Sequence, residues 1–290
     1  MNNSIKADII FFFGFLLVLA NVFIWQFIFS LDGNLKVVFF DIGQGDSAFI
    51  ETAQGHQILI DGGPGEKVLT KLGKAMPFWD RTIDLVVLSH PEYDHLSGLV
   101  KVLERYQVKN VLWTGIERNS KIFDEWQTAL NKEKALIVIA KNGETIKAGL
   151  VGLYVLHPLD SLEGQFLEKD SNDTAVVLQV SYGQNKFLFT GDISSKVEKD
   201  LISQNPCPGP CSLESDVLKV AHHGSKYSSS LEFLAAVAPR VAVISCGANN
   251  NYGHPQGAVL SNLQEFGITI RRTDQLGDIK VVSDGKNLIY

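Results

Sequence analysis

The seven-residue stretch SHPEYDH at residues 89–95 directly follows the strand-like stretch DLVVL at residues 84–88, which is apolar after Asp84. Its imidazole and carboxylate groups, at His90, Glu92, Asp94 and His95, are donors of the kind that hold Zn, Mn or Fe in proteins. A turn that leaves a buried strand can bring such side chains to one point. Taken alone, the stretch also fits an ordinary polar surface turn.

Three more groups of this kind lie at or beside predicted strand ends. Asp192 follows the apolar stretch FLFT, the pair His222-His223 follows VLKVA, and His254 lies in the sequence YGHP. Each has an ordinary alternative, such as a Gly-Asp turn or a helix cap at Ser225 with incidental histidines. Ligands of layered α/β proteins bind outside the carboxyl ends of the strands. The joint placement therefore predicts a metal site.

Alternating strand and helix patterns place these groups in the fold. Apolar runs bounded by Gly-rich turns predict strands, and periodic apolar residues predict helices. Strands that alternate with helices indicate a layered α/β domain. The strands are predicted at 35–41, 47–52, 57–61 and 84–90, a hairpin through Gly183 at 174–182 and 186–192, and helices at 66–75, 96–106 and 121–133.

The composition limits how the chain can meet nucleic acid. The 290 residues are 45% hydrophobic, which is enough for a sizeable core, and the formal net charge is −6. Proteins that grip nucleic acid over a broad surface are usually basic. Any contact of this chain with nucleic acid is therefore expected to be local.

The N-terminal region is strongly apolar. Residues 9–29 carry no charge, a length that can cross a bilayer as a helix. We predict a tail at 1–8, a transmembrane anchor at 9–30 and one large domain at 33–290. A cleaved signal peptide ending at Ala20 is the alternative. Lys6 before the span and Asp32 after it favour a single-pass protein with an extracytoplasmic domain.

The three cysteines fall into two groups. Cys207 and Cys211 lie in the short sequence CPGPC, which could close a disulfide in an oxidising compartment or hold two free thiols in a reducing one. Both alternatives stay open. Cys246 lies in an apolar strand pattern and is predicted to be a small buried hydrophobe.

A series of short stretches gives the chain a family resemblance over residues 35–285. Their order and spacing resemble the metallo-β-lactamase superfamily, and within it the ComEC-type competence hydrolase domain. The resemblance implies a four-layer αββα sandwich with a metal site at one edge, between the two sheets. The matching stretches are DIGQGD (41–46), LIDGG (59–63), SHPEYDHLSG (89–98), LHP (156–158), NDTAVVL (172–178), FLFTGD (187–192), LKVAHHGSKYSSS (218–230), AVISCGANNNYGHP (242–255) and RTD (272–274).

The resemblance also implies a set of metal ligands. His90 and Glu92 would hold a first ion, Asp94 and His95 a second, and Asp192 would bridge them. One histidine of the pair His222-His223 would complete the second site, and His222 is the preferred one.

Supporting roles follow from the same resemblance. Asp61 would orient the loop that bears the ligands, while Asp41 and Asp46 would flank the site. The catalytic residues would be Asp94, Asp192 and His254, the last as a contact to the substrate or transition state. The hydroxyl of Ser225 and the ammonium of Lys226 would contact phosphate.

The chain departs from the superfamily's usual HxHxDH pattern in two ways. Glu92 stands where the second histidine is usual, and a carboxylate favours Mn or Mg over Zn. The next expected histidine is missing, and Asp173, or Asp170 or Asn172 beside it, is a candidate to serve instead. We therefore expect one or two divalent ions, Mn or Zn, with Mg as a further candidate.

The leading functional expectation is a nuclease that acts on DNA, as a single strand, at the outer face of the membrane. ComEC-like domains imply DNA uptake, so a DNA-transport channel protein is an expected partner. A hydrolase of a small ester, lactone or β-lactam is the first alternative, because fold alone does not decide substrate. A non-catalytic, metal-poor binding module is the second.

Overall fold

A computed structural model describes residues 3–30, 33–204 and 212–290, without the side chains of residues 3–8 and 23–30. Cys207 and Cys211 lie outside the described residues, so both alternatives for that pair stay predictions. The N-terminal helix α1 covers Asn3–Ser30. Among the residues whose side chains are described, which leave out both ends of α1, no helix is long and apolar enough to cross a membrane.

The remaining helices and strands alternate along the chain. The helices are α2 (Lys67–Ala75), α3 (Tyr93–Leu103), α4 (Lys121–Glu133), α5 (Ser195–Gln204), α6 (Leu231–Val237), α7 (Gly257–Glu265) and α8 (Thr273–Leu276), with short 3₁₀ turns at Asn172–Thr174 and Ala221–Gly224. The strands are β1 (Leu35–Phe39), β2 (Ala48–Glu51), β3 (Gln57–Ile60), β4 (Thr82–Val87), β5 (Gln107–Trp113), β6 (Glu117–Arg118), β7 (Leu136–Ile139), β8 (Thr145–Ala148), β9 (Val151–His157), β10 (Phe166–Leu167), β11 (Val177–Tyr182), β12 (Asn185–Phe189), β13 (Val217–Lys219), β14 (Val241–Ile244), β15 (Thr269–Arg272), β16 (Ile279–Ser283) and β17 (Leu288–Ile289).

Two large mixed sheets form the centre of the domain. The first has the order β17-β16-β1-β2-β3-β4-β5-β7, and the second has the order β15-β14-β13-β12-β11-β9-β8. Strands β3, β4, β5 and β7 are parallel, as are β12 to β15. Each sheet therefore has a run of neighbouring strands whose carboxyl ends lie along one edge, where polar groups that follow the strands can meet.

Three hydrophobic clusters show four layers. One cluster lies between the sheets and joins residues such as Val37, Ile60, Leu153 and Phe187. A second packs α2, α3 and α4 on the first sheet, and a third packs α5, α6 and α7 on the second sheet. This is the predicted αββα sandwich. Cys246 belongs to the third cluster and is fully buried, which confirms its predicted role as a small core residue.

The helix that follows β4 begins earlier than predicted. The apolar spacing predicts a helix over residues 96–106, whereas α3 covers Tyr93–Leu103. The backbone of Glu92 is extended and caps the helix, so Asp94 and His95 lie in its first turn. The start of the helix thereby fixes the direction of both side chains, and the partial positive charge of a helix N-terminus favours the carboxylate of Asp94.

Candidate metal centre

The polar groups that follow five strands meet between the two sheets. Asp61 follows β3, the stretch 89–95 follows β4, and Asp192 lies three residues after β12. The pair His222-His223 lies just beyond β13, and Ser245 directly follows β14. The turn that holds Asp46 joins them from the loop between β1 and β2. The site is thus built by chain-distant segments whose convergence depends on the sandwich itself.

A compact buried cluster forms the centre of this region. The Nε2 atom of His95 lies 3.4 Å from Oδ1 of Asp192. The Nε2 atom of His223 lies 3.3 Å from Oδ2 of Asp94 and 3.4 Å from Oδ2 of Asp192. Groups of three donor atoms lie within 4.8 Å of one another, and the groups are His90-His95-Asp192, Asp94-His95-His223, Asp46-Asp192-His223 and Asp46-Asp61-His95.

The donor atoms of the cluster lack hydrogen bonds although they are buried. Within the described residues, these unpartnered atoms include Nε2 of His90, His95 and His223 and Oδ1 of Asp46 and Asp192. Buried polar atoms in folded proteins almost always have a partner, and a binding site for an ion is one accepted reason for an exception. Imidazole nitrogens and carboxylate oxygens suit a divalent transition metal, so these residues fit such an ion.

Hydrogen bonds on the far side of two rings fix their orientation. The Nδ1–H of His95 donates to Oδ2 of Asp61 over 2.8 Å, and Asp61 also accepts from the backbone N–H and the hydroxyl of Ser89. The Nδ1–H of His223 donates to the carbonyl oxygen of Ser245 over 2.9 Å. Outer partners of this kind set the tautomer of metal-binding histidines. In both rings they leave Nε2 free to face the cluster.

Unusual backbone conformations hold part of the site in place. Asp61, His222 and His223 have positive φ angles of 57°, 50° and 54°. Residues other than glycine seldom adopt this left-handed region, and such strain occurs where the surrounding structure enforces it, often at functional sites. Gly45 is required for a close approach, since a Cβ there would lie 2.3 Å from the carbonyl oxygen of Asp94.

A buried lysine lies beside the cluster. The ammonium group of Lys219, at the end of β13, forms an ion pair with Oδ2 of Asp46 and donates to the carbonyl oxygen of Val220. Both members of the pair are almost completely buried. Lys219 was not predicted to belong to the site. The sequence feature that could have indicated it is a charged residue inside the apolar stretch VLKVA.

The structure does not bring Glu92 into the cluster, contrary to its predicted role as a ligand of the first ion. Its Oε1 atom accepts from the backbone N–H and hydroxyl of Ser171, at 3.1 and 2.7 Å, and pairs with Arg118 at 3.0 Å. An oxygen engaged by three donors is already satisfied. Ser171 and Arg118, neither of which was singled out from the sequence, hold the carboxylate at the wall of the pocket instead.

The two neighbouring histidines occupy different places, which reverses the preference for His222. The His223 side chain is buried and contacts both Asp94 and Asp192, whereas the His222 side chain is 28% exposed and lies 3.9 Å from Asp192. His222 packs edge-on against His254, with ring centroids 5.6 Å apart. The geometry therefore favours His223 as a ligand and places His222 on the wall of the pocket.

The other predicted residues surround the cluster at different distances. Asp41 caps its own turn by accepting from the N–H of Gly43, and Asp173 accepts from the N–H of Ser194, so neither lies among the donor groups. Ser225 is buried, and the ammonium of Lys226 lies over the ring of Tyr227. His254 lines an open pocket of about 290 Å³ together with Glu92, Asp94, Asp192 and both histidines of the pair.

The charges of the cluster are strongly coupled. Burial would lower the pKa of His223, but Asp192 and Asp46 outweigh it and raise the pKa to about 10. Burial would likewise lower the pKa of His95. The charges of Asp192 and Asp61 outweigh this effect, so the pKa of His95 lies well above its usual value. Burial and the charge of His95 lower the pKa of His90 to about 3. Without a metal ion, His95 and His223 are thus imidazolium ions that lie next to the carboxylates of the cluster.

These pKa values predict that metal affinity rises with pH. A ring with a raised pKa is protonated below that value and must lose the proton before it can bind an ion. We expect the Kd for Mn²⁺ to fall by about tenfold per pH unit for each proton displaced, between pH 6 and 9. Calorimetric titration in buffers of different ionisation enthalpy measures both the affinity and the released protons. A constant Kd without proton release would contradict this account.

Comparisons with known proteins agree with this geometry. The family described as Metallo-beta-lactamase superfamily matches residues 40–248. The chain is 30% identical over 274 residues to "ComE operon protein 3" of Bacillus subtilis, covering 87% of this chain and 33% of that protein. It is 30% identical over 256 residues to "Competence protein ComA" of Neisseria gonorrhoeae, and the match covers 86% of this chain and 32% of that protein. The chain spans about a third of the length of these relatives.

Solved structures show the same fold at low identity. The metallo-beta-lactamase fold protein YhfI of Bacillus subtilis matches with a TM-score of 0.55 and 13% identity, over 85% of this chain and 99% of that one. A metallo hydrolase from Ignicoccus hospitalis matches with a TM-score of 0.56 and 15% identity, over 85% of this chain and 98% of that one. The chain belongs to the metallo-beta-lactamase superfamily of metal-dependent hydrolases, and it is similar to about a third of each of the two competence-related proteins.

Proposed function

We propose that this metal-dependent hydrolase is a phosphodiesterase that cleaves DNA. The observation that carries the proposal is the buried set of unpartnered donors, three imidazole Nε2 atoms and two carboxylate oxygens, beside an open polar pocket. The similarity to competence proteins supports DNA as the substrate. We propose His90, Asp94, His95, Asp192 and His223 as the residues that hold one or two divalent ions, with Asp46 beside them.

The chemistry divides between the ion and the protein. A bound divalent ion would lower the pKa of its water towards about 7 and so supply hydroxide at neutral pH. Asp94, which lines the pocket, is ionised because His223 and His95 outweigh its burial and hold its pKa well below the usual range. We propose that Asp94 orients the attacking water through its carboxylate.

His254 is placed to contact the reacting phosphate. It lines the pocket, and burial together with the charges of His223 and His222 lowers its pKa to about 4. The ring is therefore neutral at pH 7 and can donate one hydrogen bond to a phosphoryl oxygen as negative charge develops there. Arg118 and Lys169 also line the pocket and supply the positive charge that a phosphate substrate requires.

The predicted site of action stays a proposal. Residues 9–22 expose large apolar side chains such as Phe11 and Leu17, which supports a membrane anchor formed with residues 23–30. We propose a single-pass protein with the domain outside the cytoplasm, next to a DNA-transport channel protein. Protection of the domain from added protease in intact cells would contradict this orientation, whereas digestion only from outside agrees with it.

A substrate comparison tests the proposed function. The full chain, purified in detergent, is incubated with Mn²⁺, Zn²⁺ or Mg²⁺ and with labelled single-stranded DNA, duplex DNA or nitrocefin. We expect metal-dependent cleavage of single-stranded DNA that is absent from the Asp192→Asn variant. Hydrolysis of nitrocefin without cleavage of DNA would favour a small-molecule hydrolase. Cleavage that persists in the variant would show that this site is not responsible.

A further inference from the structure

An exposed aromatic ring forms part of the pocket that is otherwise lined by charged and polar groups. Tyr252 is 67% exposed, although it lines the same pocket as Asp94, Asp192 and His254. A tyrosine that only filled space would bury its ring against the domain. This ring lies open at the rim, so its contribution to binding depends on what enters the pocket.

The ring is held in place rather than left free. The side-chain oxygen of Asn250 accepts from the backbone N–H groups of Tyr252 and His254, at 3.1 and 3.0 Å. The amide of Asn250 also donates to the carbonyl oxygen of Gly247 over 3.0 Å. These bonds brace the loop, so that little side-chain or backbone freedom need be lost when a ligand binds.

The ring of His254 lies next to the ring of Tyr252. The two rings are stacked, with centroids 5.7 Å apart and an angle of 22° between their planes. His254 in turn lies 6.4 Å from the ring of His223, in the donor cluster. Tyr252 therefore offers a largely exposed ring at the pocket, and His254 lies between this ring and the candidate metal ligands.

We propose that Tyr252 is a stacking platform for a nucleobase next to the phosphate that is cleaved. The inference rests on the proposed function and names the part of the substrate that the site recognises. The phosphate would lie at the donor cluster, with Arg118 and Lys169 as its counter-charges, and the adjoining base would stack on the exposed ring of Tyr252. Aromatic side chains bind single strands in this way without sequence preference, because every base has a π-face.

The platform also determines which nucleic acids fit. Bases in a duplex already stack on their neighbours, and their faces become available only after unstacking, which costs free energy. Single-stranded DNA offers these faces directly. Tyr252 thus favours single strands through contact with the base, whereas the cations of the pocket favour any phosphate.

A pair of matched substrates tests the proposal. One is a labelled single-stranded DNA oligonucleotide, and the other is an abasic strand of the same length with the same phosphates. Binding is measured by fluorescence anisotropy without metal, and cleavage is measured with Mn²⁺. The variants are Tyr252→Ala, Tyr252→Phe, which keeps the ring, and Trp79→Ala, which removes an exposed ring from the loop before β4, at the end of the strand remote from the site.

We expect Tyr252→Ala to weaken binding of the base-bearing strand by roughly 5- to 150-fold, the range for loss of one stacked base. Its KM should rise with little change in kcat, since the contact is the same in ground and transition states. Binding of the abasic strand should not change in Tyr252→Ala. Tyr252→Phe should restore the base-dependent binding that Tyr252→Ala loses, and Trp79→Ala should behave as the wild type. Equal losses on both strands, or no loss on either, would overturn the proposal.

The two readouts separate this inference from the proposed function. Base-dependent binding through Tyr252 without any cleavage would leave the platform in place and refute the nuclease. Cleavage of both strands that does not depend on Tyr252 would support the nuclease and refute the platform. If Tyr252 serves another flat ligand, its substitution would leave the binding of both strands unchanged. That result would also refute the platform.

Discussion

Asp192→Asn is expected to lose metal binding and hydrolysis together, with metal affinity reduced by at least about 100-fold. Loss of an outer partner of a metal ligand alone costs 10- to 100-fold, and Asp192 contacts His95 and His223 directly, at 3.4 Å each. The asparagine keeps the shape but removes the charge. Metal content after gel filtration and the rate of DNA cleavage measure the two losses.

Glu92→Gln supplies the matched control for this prediction. It also neutralises a carboxylate near the site, but Oε1 of Glu92 is bound by Ser171 and Arg118 instead of facing the cluster. We expect metal content close to that of the wild type in this variant. Equal loss of metal from both variants would show that the carboxylate at position 92 does hold an ion, as the sequence resemblance implied.

Lys219→Met is expected to lower the free energy of unfolding of the metal-free protein by about 3 kcal/mol. The substitution keeps most of the side-chain volume and leaves Asp46 without its ion-pair partner. Removing one member of a buried pair costs roughly 3–5 kcal/mol, because the remaining charge is buried without compensation. The lower end applies here, because His223 also lies 3.2 Å from Asp46 and offsets part of its charge. Urea unfolding in EDTA measures the change.

The double variant Asp46→Asn, Lys219→Met separates charge from packing. Without the aspartate charge, the loss should be smaller than in Lys219→Met alone, because no unpaired ion remains in the interior. An equal or larger loss in the double variant would mean that Lys219 acts through its packing and its bond to Val220. In that case the ion pair would not be the source of the stability.

Much of the architecture was predictable because it depends on local patterns. Apolar runs followed by polar turns identified the strands and a layered α/β domain, and the family resemblance implied the αββα sandwich. The convergence of His90, Asp94, His95 and Asp192 could also be anticipated, since all four follow the carboxyl ends of predicted strands and lie in stretches that match one family. The two strands, β4 and β12, belong to different sheets, so these side chains meet only because the sandwich packs the sheets together.

The remaining features depend on contacts between distant parts of the chain. Glu92 has the right chemistry for a ligand, but Arg118 and Ser171, far along the sequence, hold its carboxylate. The choice between His222 and His223 depends on a left-handed turn that points two neighbouring side chains in different directions. Local patterns contain neither fact, since both are set by packing after the sheets have formed.

A structure of the protein grown with Mn²⁺, with anomalous data collected at the manganese edge, tests the central claim most directly. We expect an ion whose ligands include Asp192 and Nε2 of His223, with further ligands from His90, Asp94 and His95. Metal–ligand bonds for these atom types are about 2.0–2.2 Å long. An ion bound elsewhere, or none in a protein that still cleaves DNA, would contradict it.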